Sequence, residues 1–157
     1  MNPRVILVTG SNGGLGQAIA RAFLSEAPEN FVWLGVRSRR DAAELVAKEF
    51  PERAQCIDLD VTQPDSWQRA VEAILARHGR IDVLVNNAGK HEDGLLATMP
   101  ANAWREVIAT NLDSTFHGCQ AVMKSMIAQR GGRIINIASL SALLAPAGQT
   151  NYAAAKA

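Results

Sequence analysis

The residues able to do chemistry lie near the end of the chain. Tyr152 and Lys156 stand four apart in an alanine-rich run that reads as helix, so both side chains project from one face. That spacing sets an ammonium beside a phenol. A free tyrosine has a pKa of about 10 and transfers protons poorly at neutral pH, but a neighbouring cation favours the phenolate and lowers that value. A tyrosine so placed can serve as general acid or base. Ser139 leaves the apolar run 133–138, which has the pattern of a buried strand, and so falls at a strand's carboxyl end, where open α/β sheets place their ligands. Hydroxyl, phenol and amine are expected to converge on one small polar substrate. Taken alone, Tyr-x-x-x-Lys is far more often an ordinary exposed helical pair, and the elements upstream decide between the two readings.

The β-branched run 5–8 ends in Thr9-Gly10, and Ser11-Asn12-Gly13-Gly14-Leu15-Gly16 opens a helical pattern to about residue 27. Strand, tight turn and helix in that order form a phosphate cradle. Glycine allows the backbone to turn sharply and approach a phosphate closely, and a helix N-terminus offers free N–H groups with partial positive charge. No Gly-Lys-Ser/Thr follows, so this is not a Walker loop. A second apolar run, 31–36, leads into Arg37-Ser38-Arg39-Arg40. The acidic residue that would hold a ribose 2′-hydroxyl is missing there, and a basic cluster suits a 2′-phosphate. A helix over 41–50 follows, with Asp41 as its expected cap.

Residues 54–59 read as a third strand ending at Asp60-Val61-Thr62, and a helix over 64–78 has Pro64 early and Gly79 just past its end. A fourth strand, 81–85, ends at Asn86-Asn87-Ala88-Gly89, small and amide-bearing residues that let a ligand lie close. After a polar loop at 90–93, helical spacing covers 101–118 and 119–130. Asn111 interrupts the first of these and is expected to bond helix backbone and hold a kink or a water. Gly131-Gly132 ends the second before the fifth strand, 133–138. Strands alternating with helices at these spacings demand parallel crossovers, hence a doubly wound α/β sheet in the order 3-2-1-4-5, with its switch point between strands 1 and 4.

With these words in place, the chain resembles the short-chain dehydrogenase/reductase family over essentially its whole length. Thr9-Gly10-x-x-x-Gly14-x-Gly16 is similar to the family's cofactor loop, which implies that Gly10, Ser11, Asn12, Gly14, Leu15 and Gly16 contact the cofactor. Asp60, with Val61 beside it, resembles the adenine-contacting acid. Asn87, Ala88 and Gly89 belong to the central-strand motif, and Asn111, Ser139, Tyr152 and Lys156 match the catalytic tetrad. Within the family, Gly148-Gln149-x-Asn151-Tyr152-Ala153-Ala154-Ala155-Lys156-Ala157 is closest to the 3-oxoacyl-acyl-carrier-protein reductases. The resemblance implies an NADP(H)-dependent oxidoreductase that reduces a carbonyl, a 3-oxoacyl thioester carried on acyl carrier protein or CoA. Reductases of sugars, steroids and other small carbonyls, or a catalytically silent nucleotide-binding relative, are the alternatives.

In the implied roles Tyr152 donates a proton to the carbonyl oxygen while the nicotinamide delivers hydride to carbon. Ser139 hydrogen-bonds that oxygen, Lys156 lowers the tyrosine pKa and holds the nicotinamide ribose, and Asn111 positions a water that relays protons to Lys156. One departure concerns the cofactor. Gly13 stands where many NADPH-dependent relatives carry a basic residue, which leaves Arg37 as the candidate for the 2′-phosphate. The family also continues beyond the residue matching Ala157, so the reading is of one dinucleotide-binding domain, 1–157, lacking the C-terminal strands and substrate lid, with a final helix of barely one turn.

The bulk properties agree with a small-molecule enzyme. In 157 residues, 48% hydrophobic content and 20% charge suit a globular core, and 16 basic against 15 acidic residues give no footprint for nucleic acid or a membrane surface. Cys56 and Cys119 read as reduced core thiols, and the three histidines share no ligand spacing with them, so no metal site is expected. The start Met-Asn-Pro-Arg runs straight into a strand without a signal-peptide pattern, so a cytoplasmic location is expected. Phe116, Cys119, Val122, Met123 and Met126 are more apolar residues than one sheet-facing stripe needs, which points to a homo-oligomer, a tetramer by the family resemblance.

Overall fold

A computed structural model describes residues 3–157; Met1 and Asn2 of the expected leaderless start lie outside the described residues. Five strands, β1 (Val5–Thr9), β2 (Phe31–Val36), β3 (Ala54–Asp58), β4 (Val83–Asn86) and β5 (Arg133–Asn136), form one parallel sheet in the order β3-β2-β1-β4-β5. The expected doubly wound order is therefore observed. Helices α1 (Gly14–Glu26), α2 (Asp41–Glu49) and α3 (Pro64–His78) follow the first three strands. Beyond β4 come a short 3₁₀ turn (Leu96–Thr98), α4 (Ala101–Ile108), a π-helical turn (Ala109–Asp113) and α5 (Ser114–Ala128); after β5 come α6 (Ser141–Leu144) and α7 (Thr150–Lys156).

β1 and β2 are buried at every position because helices cover both faces of the sheet, which is why they read as unbroken apolar runs. Side chains alternate between the faces. Ile6, Val8, Val32, Leu34, Val83 and Val85 pack with Ala20 and Leu24 of α1 and Val46 of α2. Leu7, Trp33 and Leu84 point the other way, onto Trp67 and Ile74 of α3 and Val122 and Met126 of α5. Trp67 is the largest of the fully buried side chains, and its indole N–H donates to the Val61 carbonyl at 2.9 Å. Cys56 on β3 and Cys119 on α5 are free thiols, and burial pushes the Cys56 thiol up.

Several local expectations are corrected. Asp41 is not the cap of α2. Asn12, thirty residues away, takes that role: its Oδ1 accepts the N–H groups of Ala42 and Ala43 at 2.9 and 3.1 Å, while Asp41 accepts from Asn12 Nδ2. The region between β4 and β5 does not break near residue 118; α5 runs through it, and the interruption is the π turn at Ala109–Asp113. The last helix is seven residues, about two turns rather than one, with Asn151, Ala153 and Ala155 buried. Val122 and Met126 of α5 enter the core, whereas Phe116, Met123 and Ile127 are exposed on its other side. Among the described residues β5 pairs with β4 alone and stands at one edge of the sheet.

Replacing Trp67 by Ala removes the largest buried side chain and leaves the Val61 carbonyl unpaired. A loss of about 3–5 kcal/mol is expected, which lowers the melting temperature by roughly 6–20 °C. Calorimetry checks this, and a shift under 3 °C would mean the α3 layer is not the support described.

Candidate active site

The carboxyl ends of β1 and β4 diverge at the switch point, and there the chain is stitched together by one hydroxyl. Thr9, buried at the end of β1, accepts the backbone N–H groups of Asn87 and Ala88 at 3.0 and 2.9 Å and donates to the Val85 carbonyl at 3.2 Å. The Asn87 amide donates back to the Thr9 carbonyl at 2.8 Å. The glycine turn is thereby pressed onto the Asn87-Ala88 segment. Gly10 has φ +66°, and a Cβ on it would come within 2.8 Å of Ala88 Cα; a Cβ on Gly16 would come within 2.5 Å of the Gly10 carbonyl. Neither position has room for a side chain.

This packing leaves a cleft of about 550 Å³ across the carboxyl edge of the sheet. Gly10, Asn12, Gly14, Leu15 and Gly16 line its first wall, and Arg37 and Val61 line the side toward β2 and β3. Asn87, Ala88 and Gly89 form the floor, and Tyr152 and Lys156 the far end. The cleft thus joins the glycine turn to the tyrosine and lysine, two features 140 residues apart in sequence. Arg39 lines it beside Arg37, whereas Arg40 turns away to pair with Asp58.

The remaining expected site residues stand outside that lining. Ser11 is fully buried, its hydroxyl donating to the Val8 carbonyl at 2.7 Å and its N–H to the Gly35 carbonyl at 3.1 Å, so it shapes the turn from beneath. Asp60 accepts from the N–H and hydroxyl of Thr62 at 3.0 and 2.7 Å, closing a local turn. Ser139 lies three residues past β5, its Oγ accepting the Ser141 N–H at 3.2 Å. Asn111 is buried in the π turn behind Gly89.

Asn111 explains that turn. Its side-chain amide donates to the Val107 and Lys90 carbonyls at 2.8 and 2.7 Å, tying the helix to the loop after β4. Widening the helix by one residue frees backbone carbonyls, and the hydroxyls of Ser114 and Thr115 donate to those of Thr110 and Asn111 at 2.6 and 3.0 Å. Asn111 Oδ1 is buried without a hydrogen-bond partner among the described residues. A Cβ on Gly89 would lie 2.7 Å from that oxygen and 3.7 Å from Lys156 Nζ, so oxygen and amine border the same small space.

Lys156 Nζ donates to the Ile137 carbonyl at 2.8 Å and sits 5.9 Å from the centre of the Tyr152 ring. Burial pulls its pKa below the ordinary lysine range. Tyr152 itself is set by Asn151, which is fully buried: Asn151 Oδ1 accepts the Tyr152 N–H at 2.8 Å and its amide donates to the Glu92 carbonyl at 2.9 Å. Asn151, Lys90 and His91 were not singled out from the sequence as site residues. Lys90 and His91 line the cleft at the tyrosine end, with Lys90 paired to Glu92 and Glu106 at 3.2 and 2.6 Å. Only a polar stretch following a strand could have drawn attention to them.

Among the described residues no group of three or more His, Cys, Asp or Glu side chains is placed to hold a metal ion, and no helix is long and apolar enough to cross a membrane.

The short chain dehydrogenase family model matches residues 4–157. The chain is 38% identical over 154 residues to the 3-oxoacyl-[acyl-carrier-protein] reductase FabG of Salmonella typhimurium, covering 98% of this chain and 62% of that protein. It is 40% identical over 157 residues to the FabG of Haemophilus influenzae, covering 100% of this chain and 64% of that protein. The crystal structure of a short-chain dehydrogenase from Streptomyces avermitilis superposes with a TM-score of 0.92 at 32% identity, over 99% of this chain and 56% of that one. The chain therefore spans about three fifths of the length of such relatives.

A half-buried lysine held below its ordinary pKa gives a pH signature. The unfolded chain binds the proton more readily than the folded one, so stability rises with pH from the lowered folded value up to the ordinary value of about 10.4. Urea midpoints of the wild type and Lys156→Met should therefore converge with the wild type gaining as pH climbs through that window. A pH-independent difference would mean that the ammonium carries no burial cost.

Proposed function

Since the chain belongs to the short-chain dehydrogenase family, we propose that it is the cofactor and catalytic portion of an NADP(H)-dependent reductase acting on the carbonyl of a 3-oxoacyl thioester. The observation that carries the reading is the single cleft with the glycine turn and Arg37 at one end and Tyr152 and Lys156 at the other. The turn, held in shape by the close packing at Gly10 and Gly16, supports a fit for the pyrophosphate of a dinucleotide, because it brings the N-terminus of α1, with its free N–H groups, to the wall of the cleft. Arg37 and Arg39 would hold the 2′-phosphate, and the residue directly after β2 is Arg37 itself rather than an acidic one. Lys156 and Tyr152 would hold the nicotinamide ribose. The cofactor, when bound, supplies hydride to the substrate carbon.

The rest of the chemistry belongs to this chain's own groups. Tyr152 gives its phenolic proton to the substrate oxygen as general acid, and Ser139 donates a hydrogen bond to the same oxygen as charge develops on it. Lys156, its amine 5.9 Å from the centre of the Tyr152 ring, would stabilise the phenolate left behind. Asn111 Oδ1, buried beside the amine with an unused acceptor, suits a water that would return a proton to Lys156. The thioester assignment, with the substrate carried on acyl carrier protein or CoA, rests on likeness to the FabG reductases named above. Exposed Phe116, Met123 and Ile127 on α5 support a homo-oligomer, read as a tetramer, and a cytoplasmic setting accompanies this reading.

Two measurements on the full-length protein test it. Arg37→Ala should raise KM for NADPH about tenfold or more, by loss of charge-assisted contacts worth about 1.5–3 kcal/mol each, and leave NADH nearly unaffected; equal effects on both cofactors would remove the 2′-phosphate assignment. Tyr152→Phe should keep cofactor affinity and lose turnover by about 10²–10⁴-fold. A Phe variant retaining a tenth of the rate would refute general acid catalysis by Tyr152.

A further inference from the structure

A chain of hydrogen bonds runs from His91, whose ring stands beside Tyr152, to Ser139. The His91 ring stands nearly perpendicular to that of Tyr152, centroids 6.2 Å apart, and His91 Nδ1 lies 3.3 Å from Asp93 Oδ1. Gln149 Nε2 donates to Asp93 Oδ2 at 3.2 Å, and the Ser141 hydroxyl donates to Gln149 Oε1 at 2.7 Å. The Ser141 N–H then donates to Ser139 Oγ at 3.2 Å. The chain crosses from the loop after β4 to the loop after β5, and the amide of Gln149 is its midpoint.

Gln149 has little structural duty to explain these bonds. It precedes α7, where a side chain would ordinarily cap the helix, yet it makes no side-chain cap bond. Asn151 Oδ1 takes the first-turn N–H of Tyr152 instead. The two loops are also joined without it, by the Gly94 N–H to Gly148 carbonyl bond at 2.8 Å and by the Asn151 amide on the Glu92 carbonyl. What Gln149 alone does is connect Asp93 to Ser141. A carboxamide suits this because it donates and accepts at once; a carboxylate would only accept, and an alkyl side chain would do neither.

The consequence falls on Ser139. A serine hydroxyl has one proton and two acceptor lone pairs, and at Ser139 one lone pair is taken by the Ser141 N–H. Holding Ser141 therefore narrows the directions left to the Ser139 proton. We propose that Gln149 is a positioning residue which, by holding Ser141, presets the Ser139 hydroxyl as a donor to the substrate oxygen. This rests on the carbonyl reduction proposed above.

The test uses the full-length protein and the variants Gln149→Leu, Gln149→Glu and Ser141→Ala, each also in a Ser139→Ala background. Activity on a 3-oxoacyl thioester, NADPH affinity by fluorescence and hydrogen exchange at the Ser141 amide are measured. In the Ser139 protein, Gln149→Leu and Ser141→Ala should each lower kcat about tenfold, the order of one lost hydrogen bond, with NADPH affinity unchanged. Gln149→Glu, which still accepts from Ser141, should retain more of kcat than Gln149→Leu. In the Ser139→Ala background the Gln149 and Ser141 changes should cost nothing further, since residues acting as a unit are not additive. The Ser141 amide should exchange faster in Gln149→Leu. Equal losses in both backgrounds, or kcat within twofold of wild type, would overturn the proposal. If Gln149→Leu does not fold, Ser141→Ala decides by the same criteria. A wild type inactive on every thioester and ketone offered would remove the reduction reading itself, and the Ser141 exchange rate would still judge the linkage: unchanged exchange overturns it, faster exchange supports it.

Discussion

Three hydrogen bonds at one buried hydroxyl, Thr9 Oγ1, hold the place from which the rest of the site is measured. Parallel strands that send their chains to opposite faces of a sheet must separate at their carboxyl ends, and the gap so formed is where ligands fit. Such a gap would ordinarily leave backbone N–H groups without ladder partners. Thr9 supplies the acceptor for two of them, and Asn87 returns the favour to the Thr9 carbonyl. The strand ends are thus separated enough to make a cleft and joined enough to give it a fixed floor.

The same economy of backbone groups recurs at each support of the site. Asn12 uses its side chain to cap α2, so the glycine loop and the helix after β2 are one unit. Asn111 widens a helix to reach the Lys90 carbonyl, and two hydroxyls take up the carbonyls that widening exposes. Asn151 joins Tyr152 to the loop after β4. Asparagines recur because a short side chain with both a donor and an acceptor can satisfy main chain on two elements at once. Asn111 and Asn151 are buried, so each carries a large penalty for removal, since an unpaired buried polar group costs about 1–3 kcal/mol.

Lys156 shows the opposite balance. Its ammonium is held in a partly buried place with a carbonyl as its hydrogen-bond partner, so the charge is disfavoured there relative to water. A group kept at some cost in stability beside a phenol and an unused acceptor oxygen is the arrangement expected where proton transfer matters more than stability.

Much of the fold was legible because its signals are local. Unbroken apolar runs of strand length, Pro64 early and Gly79 late in α3, and alternating strand and helix were enough for the order 3-2-1-4-5, since the handedness of crossovers leaves few other arrangements. The glycine turn, Arg37 and the tyrosine and lysine were likewise visible as residue types at a spacing. The misreadings, and the residues not singled out, depend on partners distant in sequence: Asn12 rather than Asp41 on α2, the second turn of α7, and Asn151 behind Tyr152. A side-chain amide carries no periodicity, and which carbonyl or N–H it meets is set by how loops from different strands pack. The sequence determined which groups could act and that they lie at one edge of a sheet. Only the tertiary structure decided which face the cleft and which hold the backbone behind it, because those depend on contacts across 21 to 79 residues of chain.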